Sequence, residues 1–94
     1  MGLVSPPAQK HHEVNLLIPT SARTVLYVGC GDGSLGYALK RERNIEVSGI
    51  EMSPLAGRAR EVLDRVYSGQ VEDVAQKLPP GYFDCIVFSN VLER

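Results

Sequence analysis

The sequence of 94 residues contains no apolar run long enough to cross a membrane, and its N-terminus carries no apolar signal-peptide core, so neither a membrane span nor an export signal is expected. It also lacks an excess of charge of either sign. Ten Lys and Arg face eleven Asp and Glu, a net charge of −1 that offers no phosphate-tracking surface, and no nucleic-acid partner is expected. Cysteine is scarce: Cys30 and Cys85 stand far apart, make no metal-ligand spacing and read as buried thiols of a reducing compartment. The pair His11-His12 does not supply a metal site either, because neighbours on a helix diverge by about 100° and cannot chelate together. These exclusions leave a cytoplasmic protein of one small globular domain, burying about 65% of its unfolded surface.

Glycine, by contrast, is concentrated. In the run Thr24–Gly36, the strand-forming residues Val25, Leu26, Tyr27 and Val28 lead directly into Gly29, Gly31, Gly33 and Gly36, with Leu35, Ala38 and Leu39 on one face of a following helix. Strand, glycine turn and helix together suit the ribose and charged groups of a nucleotide-like ligand. Glycine lets the backbone approach where a Cβ would clash, and the helix start offers unpaired N–H groups. Two patterns overlap here. Gly29-x-Gly31-x-Gly33 fits S-adenosylmethionine (SAM) sites, whereas Gly31-x-Gly33-x-x-Gly36, with Glu51 about 20 residues on, also satisfies the dinucleotide fingerprint.

Along the rest of the chain, residues 1–12 with Ser5-Pro6-Pro7 read as an extended lead-in. Val14, Leu17 and Ile18 predict a short amphipathic helix stopped by Pro19, lying across the sheet edge. The first long helix should run to about Arg43, with Gly36 allowing close packing on a strand. Further strands are expected at 45–50, ending on Glu51, at 65–68, and at 83–89, whose continuous apolar run suggests burial on both faces. Ser53-Pro54 reads as a helix start, followed by a buried face of Leu55, Ala59, Val62 and Leu63, and Val71, Val74, Ala75 and Leu78 mark a short helix before Pro79-Pro80-Gly81.

Strands alternating with helices predict an α/β fold with a Rossmann-like parallel sheet, whose ligands bind beyond the carboxyl ends of the strands. The glycine turn, Glu51, Gln70 and Ser89-Asn90 all fall at such ends. Glu51 can accept hydrogen bonds from two vicinal ribose hydroxyls, Met52 offers a soft face to an adenine ring, and Gln70 with the Val71 N–H is placed to read the adenine edge. Asp32 favours the turn and would repel a pyrophosphate while suiting a ligand that bears a sulfonium and an ammonium.

The stretches Val25–Gly36, Gly49–Pro54, Gly69–Asp73 and Tyr82–Glu93 resemble class I SAM-dependent methyltransferases, in particular the small domains found with sugar and cell-surface polysaccharide biosynthesis. The resemblance runs in order over residues 13–94. It implies a SAM-binding half of a methyltransferase domain, truncated after the fourth strand and inactive alone. The cofactor residues it implies are Gly29, Cys30, Gly31, Asp32, Gly33, Glu51, Met52, Gln70, Val71 and Asn90, with no assigned catalytic residue and no metal. Asn90 and Glu93 would line the methyl-transfer mouth. The implied partner is a small-molecule methyl acceptor, and the exposed fourth strand is expected to support self-association. The chain departs from the family pattern at Tyr27, where an acid usually stands to hold the methionine ammonium, at Gln70 in place of Asp, and at Arg94 in place of His. A nicotinamide-dinucleotide module and a non-catalytic interaction domain remain as alternatives.

Overall fold

Short β-branched runs bounded by turns become four strands in the computed structural model, which describes residues 14–88. They are β1 (Thr24–Val28), β2 (Glu46–Glu51), β3 (Arg65–Ser68) and β4 (Cys85–Phe88), all parallel and in the order β3-β2-β1-β4. The helices between them are α1 (Ser34–Arg43), α2 (Ala56–Ala59) and α3 (Val71–Ala75). From β1 the chain steps outward twice to β3, then returns across the sheet to place β4 on the other side of β1. The direction of winding reverses between β1 and β4, where doubly wound sheets open a crevice at their carboxyl ends.

That reversal sorts the helices onto two faces. Because side chains alternate along a strand, Val25 and Tyr27 of β1 meet Leu39 of α1 and Ala56 and Ala59 of α2, together with Val47, Leu63 and Val87. On the opposite face Leu26 and Ile50 pack with Val74 of α3, flanked by Val28, Tyr67 and Leu78. The sheet is the Rossmann-like arrangement that the sequence predicts. Gly36 serves the close packing expected of it: a Cβ there would come within 2.9 Å of Leu63 Cδ2 and 3.2 Å of Val47 Cγ1.

Polar side chains fasten the ends of these elements. Arg43 closes α1 over the preceding helical turn at 14–17, donating from Nη1 to the Ile18 carbonyl at 3.1 Å and from Nη2 to the Pro19 carbonyl at 2.6 Å. Asp64 accepts from Lys40 Nζ on both oxygens, at 2.8 and 2.7 Å, and from the Val47 N–H at 2.8 Å, joining α1 to β2. Asp84 Oδ2 accepts from the Arg23 and Thr24 N–H groups at 2.8 and 3.2 Å, which sets the register of β4 beside β1.

Several sequence expectations need correction. Leu17 is 64% exposed, because the turn at 14–17 presents Val14 and Ile18 to the α1-side core and Leu17 points about 100° away. Leu55 is likewise exposed, at 45%, and Ala56 takes its buried place. The Ser53 hydroxyl accepts the Leu55 N–H at 3.2 Å, but the α-helix begins only at Ala56 and ends at Ala59, so Val62 and Leu63 reach the core from the turns that follow. β4 starts at Cys85, not at Phe83; its Ile86 and Phe88 are each 50% exposed, as expected of an exposed fourth strand, whereas Val87 is buried. Cys85 is only half-buried, although Cys30 is buried as expected. The lead-in at 1–12 and the segment 89–94, with Asn90 and Glu93, lie outside the described residues.

Tyr27 carries an unusual burden. The residue is 1% exposed, and its hydroxyl is buried with no hydrogen-bond partner among the described residues. Burial, with Cys30 nearby, pushes its pKa up to about 12. A buried hydroxyl left unpaired costs about 1–3 kcal/mol. Tyr27→Phe is therefore expected to raise stability by about 1 kcal/mol in a urea titration, and a clear loss of stability would show that the hydroxyl has a partner.

Candidate functional site

At the carboxyl end of β1 the backbone makes three left-handed turns in five residues, with φ of 79° at Gly29, 61° at Gly31 and 88° at Gly33. Only glycine adopts this conformation without strain. The loop is fastened to β2, since the N–H groups of Gly29 and Cys30 both donate to the Ile50 carbonyl, at 2.8 and 3.2 Å. Its glycines differ in role. A Cβ on Gly33 would strike Val62 Cγ2 at 2.8 Å, so Gly33 admits the chain after α2, whereas a Cβ on Gly31 would meet nothing within 4 Å. Gly31 therefore faces open space.

That space is a cleft of about 370 Å³ bordered by Gly29 and Gly31 from the loop, Glu51 and Met52 from the end of β2, and Gln70 and Val71 from the end of β3. Six of the residues expected from the sequence thus converge. Three others do not line it. Cys30 turns its side chain into the core, where its Sγ lies 2.5 Å from the position of a Cβ on Gly49; burial foremost, then the Glu51 charge, push its thiol up to about 11. Gly33 packs on the chain after α2. Asp32 is committed locally, its Oδ1 accepting the Ser34 N–H at 2.9 Å and the Ser34 hydroxyl at 2.7 Å, and these bonds hold its carboxyl below the ordinary range. Asn90 lies outside the described residues.

Glu51 borders the cleft at the carboxyl end of β2. One oxygen accepts the Gly31 N–H at 2.7 Å and the other the Ser53 N–H at 3.2 Å, so the carboxylate ties the glycine loop to the turn after β2. Burial pushes its pKa up, but hydrogen bonds from the Ser53 hydroxyl and from the Gly31 and Ser53 N–H groups outweigh this and leave it below the ordinary value of 4.5. The carboxylate is thus charged at neutral pH. A carboxylate has about four acceptor positions, and these two backbone contacts leave room for others.

The sequence reading missed Val28, Ile50, Gly69 and Glu72, which also border the cleft. Val28 and Ile50 were findable from period-two alternation, being the carboxyl-end residues of the α3-facing rows. Glu72 adds a second carboxylate, and among the described residues lining the cleft there is no Lys, Arg or His. Tyr27, which stands where the resemblance has an acid, belongs to the core cluster on the α1 face of the sheet and does not border the cleft.

Solved structures carry the same architecture. A SAM-dependent methyltransferase from Archaeoglobus fulgidus matches with a TM-score of 0.69 at 22% identity, over 87% of this chain and 38% of its own. Cofactor-bound Rv0187 from MTB matches with a TM-score of 0.69 at 27% identity, over 92% and 44%. A SAM-dependent methyltransferase from Thiobacillus denitrificans, in complex with S-adenosyl-L-homocysteine, matches with a TM-score of 0.63 at 20% identity, over 90% and 38%. The chain spans less than half the length of each of these three. No curated protein matches it. The fold is thus that of class I methyltransferases, and with residues 8–94 matching the family described as methionine biosynthesis protein MetW, the chain belongs to that family.

Proposed function

We propose that the cleft binds S-adenosylmethionine and that the chain forms the cofactor-binding part of a methyltransferase. The observation that carries this reading is Glu51, a charged carboxylate fixed between the glycine loop and Ser53 in the cleft. It can receive the two vicinal hydroxyls of a ribose on its remaining acceptor positions. The residues present fit the rest of the cofactor. About 370 Å³ falls in the usual range for small-molecule sites. Gly31 leaves open the space beside the loop, Met52 presents an exposed thioether for the adenine face, and Gln70 with the Val71 N–H borders the adenine end.

Charge separates this ligand from a dinucleotide. The cleft is bordered by Glu51 and Glu72, and the Asp32 carboxylate already takes the Ser34 N–H at the start of α1, where a pyrophosphate would sit. A ligand bearing a sulfonium and an ammonium suits this field; a pyrophosphate does not.

When bound, the cofactor supplies an activated methyl group that a nucleophilic oxygen, nitrogen or carbon of the acceptor displaces from sulfur. The chain's part is to bind and orient, since such a transfer depends mainly on positioning and desolvation. A small molecule or sugar is the acceptor class we favour, and turnover by the 94 residues alone is not expected. Isothermal titration tests the ligand class: SAM and S-adenosylhomocysteine should bind more tightly than NAD, and tighter binding of NAD would overturn the reading.

A further inference from the structure

A second cavity, of about 410 Å³, opens at the end of the sheet opposite the cofactor cleft, and its size also suits a small molecule. It is bordered by Glu46 and Ser48 of β2, by Arg65 at the start of β3, and by Tyr82 and Phe83 of the segment leading into β4. Its floor is unusual for a parallel sheet. Residues 46, 48 and 50 share one row of β2, an interior strand, and such a row should be apolar where the sheet is covered. Ile50 obeys, packing with Val74 of α3. The other two are Glu46 and Ser48, and Ser48 is only 2% exposed. Polar groups thus occupy an inner row at the place where the cavity lies.

Two charges of opposite sign border this cavity from neighbouring strands. The Tyr82 hydroxyl donates to the Glu46 carboxylate, lying 2.8 and 2.6 Å from its two oxygens, and so orients it. Neither Glu46 nor Arg65 makes an ion pair among the described residues. Asp64 also borders the cavity, but its carboxylate is already held by Lys40 and by the Val47 N–H. The rings of Tyr67 and Phe83 add an apolar wall, and Phe83 is braced edge-on by Tyr82, with centroids 5.1 Å apart. A guanidinium and a carboxylate, each without a charged partner, suit a ligand that carries both charges itself. A ligand of one sign would satisfy one group and be repelled by the other.

We propose that this cavity is a second binding site, for a free α-amino acid with an apolar side chain. Arg65 takes the α-carboxylate, Glu46 takes the α-ammonium, and the side chain lies against Tyr67 and Phe83. The site is separate from the cofactor cleft, and the inference does not depend on the SAM-binding reading.

Saturation-transfer NMR on the full 94-residue chain tests it with leucine, valine and phenylalanine, each compared with its amide, which lacks the carboxylate, and its N-acetyl form, which lacks the ammonium. At least one free amino acid should bind the wild type, with a Kd of about 1 mM, and about 10-fold more tightly than either blocked form. Arg65→Gln should weaken binding by about 10-fold and erase the preference over the amide, while keeping that over the N-acetyl form. Glu46→Gln should do the reverse, and its side chain can still accept from Tyr82. The melting temperature of Arg65→Gln should match the wild type, because Arg65 is exposed. Saturating S-adenosylhomocysteine should leave amino-acid binding unchanged. The inference falls if none of the three binds at about 10 mM, if the blocked forms bind equally well, or if both substitutions leave binding and its preferences as in the wild type. Displacement by S-adenosylhomocysteine would also overturn it, by placing the amino acid in the cofactor cleft.

Discussion

Glu51→Ala is expected to weaken SAM or S-adenosylhomocysteine binding by about 1.5–3 kcal/mol, roughly 10- to 150-fold, while leaving the fold intact. The magnitude is that of hydrogen bonds between a charged acceptor and ligand hydroxyls in a partly dry cleft. The fold should survive because Glu51 is only partly buried and the loop keeps its anchors on the Ile50 carbonyl. Glu51→Gln separates shape from charge: it retains one acceptor oxygen in place of two and should bind with intermediate affinity. The same carboxylate sets a pH dependence. Its folded pKa lies below 4.5, so its interactions with Gly31 and Ser53 contribute fully above that value and are lost as the pH falls through the lower, folded value. Ligand binding should follow the same acid limb. Unchanged affinity in Glu51→Ala at pH 7, with the secondary structure preserved by circular dichroism, would remove Glu51 from the site.

Leu39→Ala should destabilise the domain by about 2–5 kcal/mol, the range for truncating a buried leucine. Leu39 is wholly inaccessible and lies where α1 meets β1 and β2, among Val25, Tyr27 and Val47. A domain of this size has about 5–15 kcal/mol in total, so the variant should be marginal at physiological temperature. Its urea midpoint should fall with no change in slope. Leu17→Ala and Leu55→Ala serve as controls, since both side chains are exposed and surface substitutions usually stay within about 0.5 kcal/mol. A loss in Leu39→Ala no greater than in these controls would mean that α1 is not seated on the sheet as described.

The sheet and most of the cleft were legible because their signals are local and strong. The glycine turn, the carboxylate at the end of β2 and the Gln70-Val71 pair each sit immediately after a strand, and a parallel sheet gathers all strand carboxyl ends at one edge. The errors arose where the register of a short helix decides burial. Leu17 lies in a helical segment of one turn and Leu55 immediately before another, where a single-residue shift in the helix start exchanges the buried position for its neighbour. Cys30 and Asp32 lie within the right loop, but pattern reading gives the backbone position and not the side-chain direction; one turned to the core and the other capped its own turn. In β4, continuous apolarity marks a strand that a complete parallel sheet covers on both faces, and the exposed fourth strand expected of this chain is seen at Ile86 and Phe88, while Val87 is buried.

The pairing of β1 with β4 also orders events in time. β1 gains β2 as a neighbour with Val25 opposite Val47, but its other flank waits for Cys85, and the Asp84 carboxylate reaches back to Thr24 across 60 residues. The entropy of closing the longer loop is only about 1 kcal/mol greater, because that cost grows with the logarithm of length. The delay matters more during synthesis. At about 5–20 residues per second, the strand destined for the middle of the sheet stands at its edge for roughly 3–12 s, with its unpaired backbone N–H and C=O groups open to other nascent chains. The polar links at residues 82–84, which join Tyr82 and Asp84 to Thr24, are what end that exposed interval.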